Sequence, residues 1–167
     1  MFKLKYFLAL SCLISTTTAL AESTVTMNFT AENGVGESAG TVMIRETPYG
    51  LLFSPHLHNL TPGIHGFHVH QNASCDKNGM SAGGHFDPTN SGKHLGPYDN
   101  NGHLGDLAIL VVNADGTATL PVLAPRIHSV EEIKQHALMI HNGSDNYSDI
   151  PDKLGGGGGR MVCGIIK

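Results

Sequence analysis

The chain contains no tryptophan, and aromatic residues make up only 6% of its 167 positions. With no apolar stripe left over for an interface either, monomer and homodimer both stay open. Lysine and arginine number only 10 and form no stripe that could neutralise phosphates, which excludes nucleic acid as a partner. The apolar run from Tyr6 to Ile14 is too short to span a bilayer. Cysteines number three, too few for a disulfide-built scaffold.

What is present begins with an export signal. Lys3 and Lys5 precede the apolar run, and Ala19-Leu20-Ala21 is a small-x-small cleavage site. Residues 1–21 are therefore expected to be a signal peptide and 22–167 a single mature domain. A lipoprotein anchor at Cys12 is the weaker reading, because Ala9-Leu10-Ser11 fits poorly before it. Without the leader, 8 basic residues face 14 acidic ones, a formal charge of −6. Cys12 also leaves, so Cys75 and Cys163 remain as an even pair in an oxidising compartment and are expected to be bridged.

"TVTMNFTA" alternates, with Val25, Met27, Phe29 and Ala31 on one face. Further strands are expected over 39–45, 50–57, 66–70, 106–113, 117–123, 137–141 and 160–166, with "NADG" (113–116) as a hairpin turn. Ser129 and Glu132 form a capping box for one short helix of about two turns over 129–135. The stretches 71–103 and 142–159, the second ending in Gly155–Gly159, lack regular periodicity. The pattern predicts an all-β fold, an eight-stranded antiparallel Greek-key β-barrel or sandwich with two long loops. Loops of that length in a compact domain are functional or cross-linked.

Eleven histidines are a large excess for this length. His68 and His70 flank Val69 on a strand, so both rings point to one face and can grip one metal. His56 and His58 share that spacing but read as ordinary strand histidines. His85, His94 and His103 stand nine residues apart, a spacing that neither a helix nor a strand brings to one side. A loop folded around a centre, with Asp106 as fourth ligand, makes a four-coordinate zinc site. Such a site has no open position and is structural. Chemistry then needs a second centre. His68 and His70 supply two ligands, His141 is a third candidate, and an all-imidazole set favours copper.

With "GFHVH", "GGHFDP", "GKH", "GHLGDL", "ALMIHNGSD", "LGGGGGR" and "CGII" in this order, the chain from about residue 24 onward resembles the copper,zinc superoxide dismutases of the bacterial, exported type. The resemblance implies one copper and one zinc per subunit, with His68, His70, His85 and His141 on copper. It places His85, His94, His103 and Asp106 on zinc, so that His85 bridges the two. Asp145 is implied to orient ligands of both metals, and Arg160 to attract and position superoxide. Cys75–Cys163 is implied to tie the loop to the barrel, and His65 to be structural. Lys134 is a candidate for steering the anion, while His128 and His136 read as surface histidines. The implied reaction converts two superoxides to O2 and H2O2, in the periplasm, by alternate reduction and oxidation of histidine-bound copper. The competing reading is an exported copper or zinc buffer without turnover, which would need neither Arg160 nor Asp145. A structural β-sandwich with incidental metal is the weakest of the three.

Overall fold

The structure, a computed structural model, describes residues 21–167. The expected leader, apart from Ala21, and Cys12 lie outside the described residues. Nine strands form: β1 (Glu22–Thr30), β2 (Val35–Thr47), β3 (Gly50–Leu57), β4 (Gly63–His65), β5 (Phe67–His70), β6 (Leu110–Val112), β7 (Val122–Ala124), β8 (Ala137–His141) and β9 (Arg160–Ile165). All pairings are antiparallel. Seven strands run in the order β5-β8-β9-β1-β2-β3-β7, and β4 pairs with β6. The non-sequential neighbours β5-β8 and β3-β7 are the Greek-key crossovers.

The strand expected over 66–70 forms as β5, and the short β4 just before it, in the other sheet, has no expected counterpart. The break is at Gly66, whose amide donates to Gly143 O and whose carbonyl accepts from His141 N, both at 2.8 Å. β4 is thus the one strand beyond the expected eight. The predicted strands 106–113 and 117–123 survive only as β6 and β7, with Ala118 paired to Leu57 by an isolated bridge. The "NADG" turn closes as expected, with Gly116 N donating to Asn113 O at 2.9 Å.

The predicted two-turn helix is a single 3-10 turn, Val130–Ile133. Its capping box forms, Glu132 accepting from Ser129 N at 2.8 Å. The turn stops because Gln135 adopts a left-handed conformation and donates its amide to Ile166 O at 2.9 Å. Pairing with the last strand outweighs helix propensity here.

Alternation decides what faces the core. Val25 and Met27 of β1, Val42 and Ile44 of β2, Phe53 of β3, Phe67 and Val69 of β5, and Leu138 and Ile140 of β8 are fully buried in one cluster. Phe53 and Phe67 meet edge to face at 5.8 Å. The intervening residues of β5 and β8, among them His68, His70, Met139 and His141, therefore point outward. They are buried as well, because the two long loops lie over this outer face. A second small cluster of Cys75, Ala82, Ala137, Met139 and Cys163 sits there. Cys75 and Cys163 are bridged, closing 88 residues of sequence.

Opening the Cys75–Cys163 bridge by Cys75→Ala is expected to lower the unfolding free energy by about 4 kcal/mol, from the loop entropy returned to the unfolded chain. Urea denaturation of the full chain with and without the bridge checks this.

Candidate metal centre

Strand β5 brings His68 and His70 to the outer face, and β8 delivers His141 beside them. His85 joins from the first loop, paired to His70 by an isolated bridge, and its ring stacks on His68 with centroids 3.9 Å apart. One potential ligand atom from each of His68, His70, His85 and His141 falls within 4.8 Å of the others. The same holds for His85, His94, His103 and Asp106. Both groups are buried and share His85.

Carboxylates and carbonyls only accept, so they assign the ring protons. His68 and His94 donate from Nε2 to Asp145, at 2.7 Å to Oδ2 and 2.8 Å to Oδ1. His70 donates from Nδ1 to Gly83 O at 2.9 Å, and His141 from Nδ1 to Gly158 O at 3.3 Å. Each ring is thereby turned so that its other nitrogen looks inward. The Nε2 atoms of His70 and His141 consequently face each other at 3.2 Å, lone pair to lone pair. His68 Nδ1, His85 Nε2, His94 Nδ1 and His103 Nδ1 are buried without any hydrogen-bond partner. The last two lie 3.0 and 3.4 Å from Asp106 oxygens, close but not aligned for a hydrogen bond. Unpartnered buried nitrogens are costly, and cations at the centre of each group would satisfy all of them. The residues present fit two metal ions.

Burial, reinforced by neighbouring imidazoles, holds His68 and His70 well below the ordinary histidine range and His141 down at about 4. Burial also lowers His85, against the pull of Asp106. His94 behaves oppositely: burial lowers it, but Asp106 and Asp145 outweigh burial and raise it to about 9. Both carboxylates are themselves held below the usual range, since their histidine partners outweigh the burial that would raise them.

Asp145 is held from a third side, accepting from Tyr147 N at 2.7 Å. Gly155 packs directly on it. A Cβ there would sit 2.0 Å from Asp145 Oδ1, and the backbone has φ +76, so this member of the glycine run has no substitute. Arg160 opens β9 and donates to Gly79 O and Gly83 O, each at 2.5 Å. With His70, His85 and His141 it lines an open recess of about 240 Å³.

The expected accessory residues divide. His65 is buried, with its ring nitrogens 2.8 Å from His141 O and Thr61 O, so neither is free for a metal. His56 and His58 are exposed and join no cluster. His128 is exposed, while His136 lies on Phe86 with ring centroids 4.0 Å apart. Lys134 pairs with Glu131 and is not among the recess residues. Lys153 and Met80, which carry no sequence signal, do line the recess. Asp149 was also missed. It accepts from His94 N at 2.9 Å and Leu154 N at 3.0 Å, joining the two loops.

Comparison with known proteins agrees with this geometry. The family model for copper/zinc superoxide dismutase (SODC) matches residues 38–166. Cu-Zn superoxide dismutase 1 of Salmonella typhimurium is 59% identical over 159 residues, covering 89% of this chain and 90% of its own. Among solved structures, the Cu/Zn superoxide dismutase from Brucella abortus superposes with a TM-score of 0.84 at 49% identity, over 88% of this chain and all of its own. The monomeric copper, zinc superoxide dismutase from Salmonella enterica gives 0.78 at 55% identity, again over 88% of this chain and all of its own. Donor set, fold and relatives converge: this chain belongs to the copper/zinc superoxide dismutase family.

Proposed function

We propose that His68 Nδ1 and the Nε2 atoms of His70, His85 and His141 hold copper, while the Nδ1 atoms of His85, His94 and His103 with Asp106 hold zinc. The observation that carries this is the set of inward-facing ring nitrogens left without partners, together with His85 Nδ1, which faces Asp106 Oδ1 at 2.8 Å. The protein is a superoxide dismutase that uses copper and zinc. Copper supplies the electron exchange with superoxide by cycling between two oxidation states, and zinc, which has no redox chemistry, fixes the shared histidine.

The chain's own part is positioning and proton handling. When the rings are neutral, Asp145, accepting from their outer nitrogens, sets the tautomer that places the lone pairs of His68 and His94 on the inward Nδ1. His85 has one nitrogen beside Asp106 and the other toward the copper group. It can therefore hold a proton at Nε2 and release it to reduced substrate without the ring losing its anchor. Arg160, with two N–H groups spent on carbonyls, retains others for a bound anion. Among the described residues no carboxylate pairs with it, so its charge is not cancelled. A buffer protein would need none of this, and family membership does not support that reading.

Residues 1–21 are proposed as the export leader and the periplasm as the site of action. This matches the Cys75–Cys163 bridge, which needs an oxidising compartment. Oligomeric state is a matter for sedimentation of the mature chain.

The mature protein is expected to carry one copper and one zinc per chain and to dismutate superoxide; metal analysis beside a superoxide assay tests this, and two bound metals without turnover would sink the catalytic assignment.

Zinc loading should be linked to pH. In the metal-free chain His94 at about 9 is protonated at neutrality, and zinc needs its Nδ1 lone pair. Zinc binding near pH 7 should then release about one proton from His94. Apparent affinity should climb about tenfold per pH unit up to about 9 and level off above it. Calorimetry in buffers of different ionisation heat counts the proton.

Steering can be ranked by position. A single charge about 10 Å from the path contributes roughly 0.4 kcal/mol in water. Lys153→Glu is expected to cut kcat/KM about two- to fourfold at low salt. Lys134→Glu should slow it less, because Lys134 does not line the recess as Lys153 does. Both effects should fade at high salt, where screening shortens the field to ~3 Å. Arg160→Ala should be slower at every salt concentration, since docking is lost with the charge. Pulse-generated superoxide kinetics across a salt series reads all three variants.

A further inference from the structure

Arg126 lies two residues beyond β7 and belongs to neither metal group. Its side chain nonetheless reaches into the first loop and binds four backbone carbonyls. Nε donates to Pro97 O at 2.9 Å and Nη1 to Gly102 O at 3.3 Å. Nη2 donates to Gly96 O at 3.2 Å and His103 O at 2.5 Å. Gly96, Pro97, Gly102 and His103 are all buried, so their carbonyls need partners. No ladder provides them. The two arms, 93–97 and 102–103, are joined directly by one backbone bond, His103 N to Lys93 O at 2.9 Å. The guanidinium fork takes the place of the missing strand pairing.

These arms carry His94 and His103. We propose that Arg126 is a positioning residue for zinc, clamping the two arms so that both histidines stay aimed at the ion beside Asp106. The inference rests on the zinc ligands assigned under the proposed function. Electrostatics alone argues the other way. Arg126 is close enough for Asp106 to act on its charge, and a fixed cation near a cation site weakens binding. Removing Arg126 therefore pits two effects of opposite sign against each other. The clamp predicts that zinc is held worse, and repulsion predicts that it is held better.

The test uses the full mature protein loaded with copper and zinc. Zinc loss to excess 4-(2-pyridylazo)resorcinol and copper loss to a copper chelator are followed together in wild type, Arg126→Gln, Arg126→Lys and His103→Ala. Arg126→Gln is expected to release zinc roughly 10- to 100-fold faster than wild type, the range for losing a residue that orients metal ligands. Copper release should be unchanged, which a general loosening of the fold would not allow. Arg126→Lys keeps the charge but cannot span four carbonyls, so it should also release zinc faster, and it decides the matter if the glutamine variant does not fold. His103→Ala checks the underlying assignment, and wild-type zinc retention there would mean the ligand set itself is wrong. If His103→Ala loses zinc while both Arg126 variants keep it as long as wild type or longer, the clamp is overturned.

Discussion

One carboxylate holds the site together. Asp145 accepts from His68 of the proposed copper group on one oxygen and from His94 of the proposed zinc group on the other. Because a carboxylate can only accept, both rings are fixed in the tautomer that leaves Nδ1 free. Because Asp145 sits in the second loop, the same two bonds fasten that loop over the outer face of β5 and β8. Ligand chemistry and loop placement are one interaction. Gly155 shows how little room this leaves, since a single methyl group would collide with the carboxylate.

The barrel contributes a rigid wall rather than a pocket. Its core takes Phe67, Val69, Leu138 and Ile140, and strand alternation then forces His68, His70 and His141 outward. Outward histidines would ordinarily meet water. Here they are dry because the loops are pinned on several sides: the Cys75–Cys163 bridge, Asp145, Asp149 and Arg160 each tie loop backbone or side chain to a strand or to the other loop. None of these ties is a ladder. That is how segments without periodicity are held against the barrel.

Alternating strands, the disulfide pair and the metal-ligand candidates were legible in the sequence, because each leaves a local or compositional mark. The nine-residue spacing of His85, His94 and His103 excluded regular structure and pointed to a loop around a centre, and the structure does gather those three with Asp106. What escaped depends on backbone carbonyls, which every residue carries and no motif announces. Arg126 is tied to four of them and Arg160 to two, and neither partner set can be read from residue types. The same blindness made the expected helix too long, since its end is set by a bond from Gln135 to Ile166, just past the last strand. It also left Lys153 unmarked, which lines the recess while Lys134 does not, because proximity in sequence to His141 is not proximity to the recess.

The way Arg160 is held bears on how a chain of net charge −4 can attract an anion. A carboxylate partner would have oriented the guanidinium equally well, but it would have cancelled the field that draws superoxide in. Two carbonyls orient it through dipoles and leave the full charge facing the recess. One of them, Gly83 O, also accepts from His70 Nδ1 at 2.9 Å. Arg160, proposed to dock the anion, and His70, proposed to hold copper, are therefore referenced to the same atom. Since net repulsion is screened within ~8 Å at physiological salt, this short-range arrangement, rather than the overall charge, sets what the substrate meets at the metal.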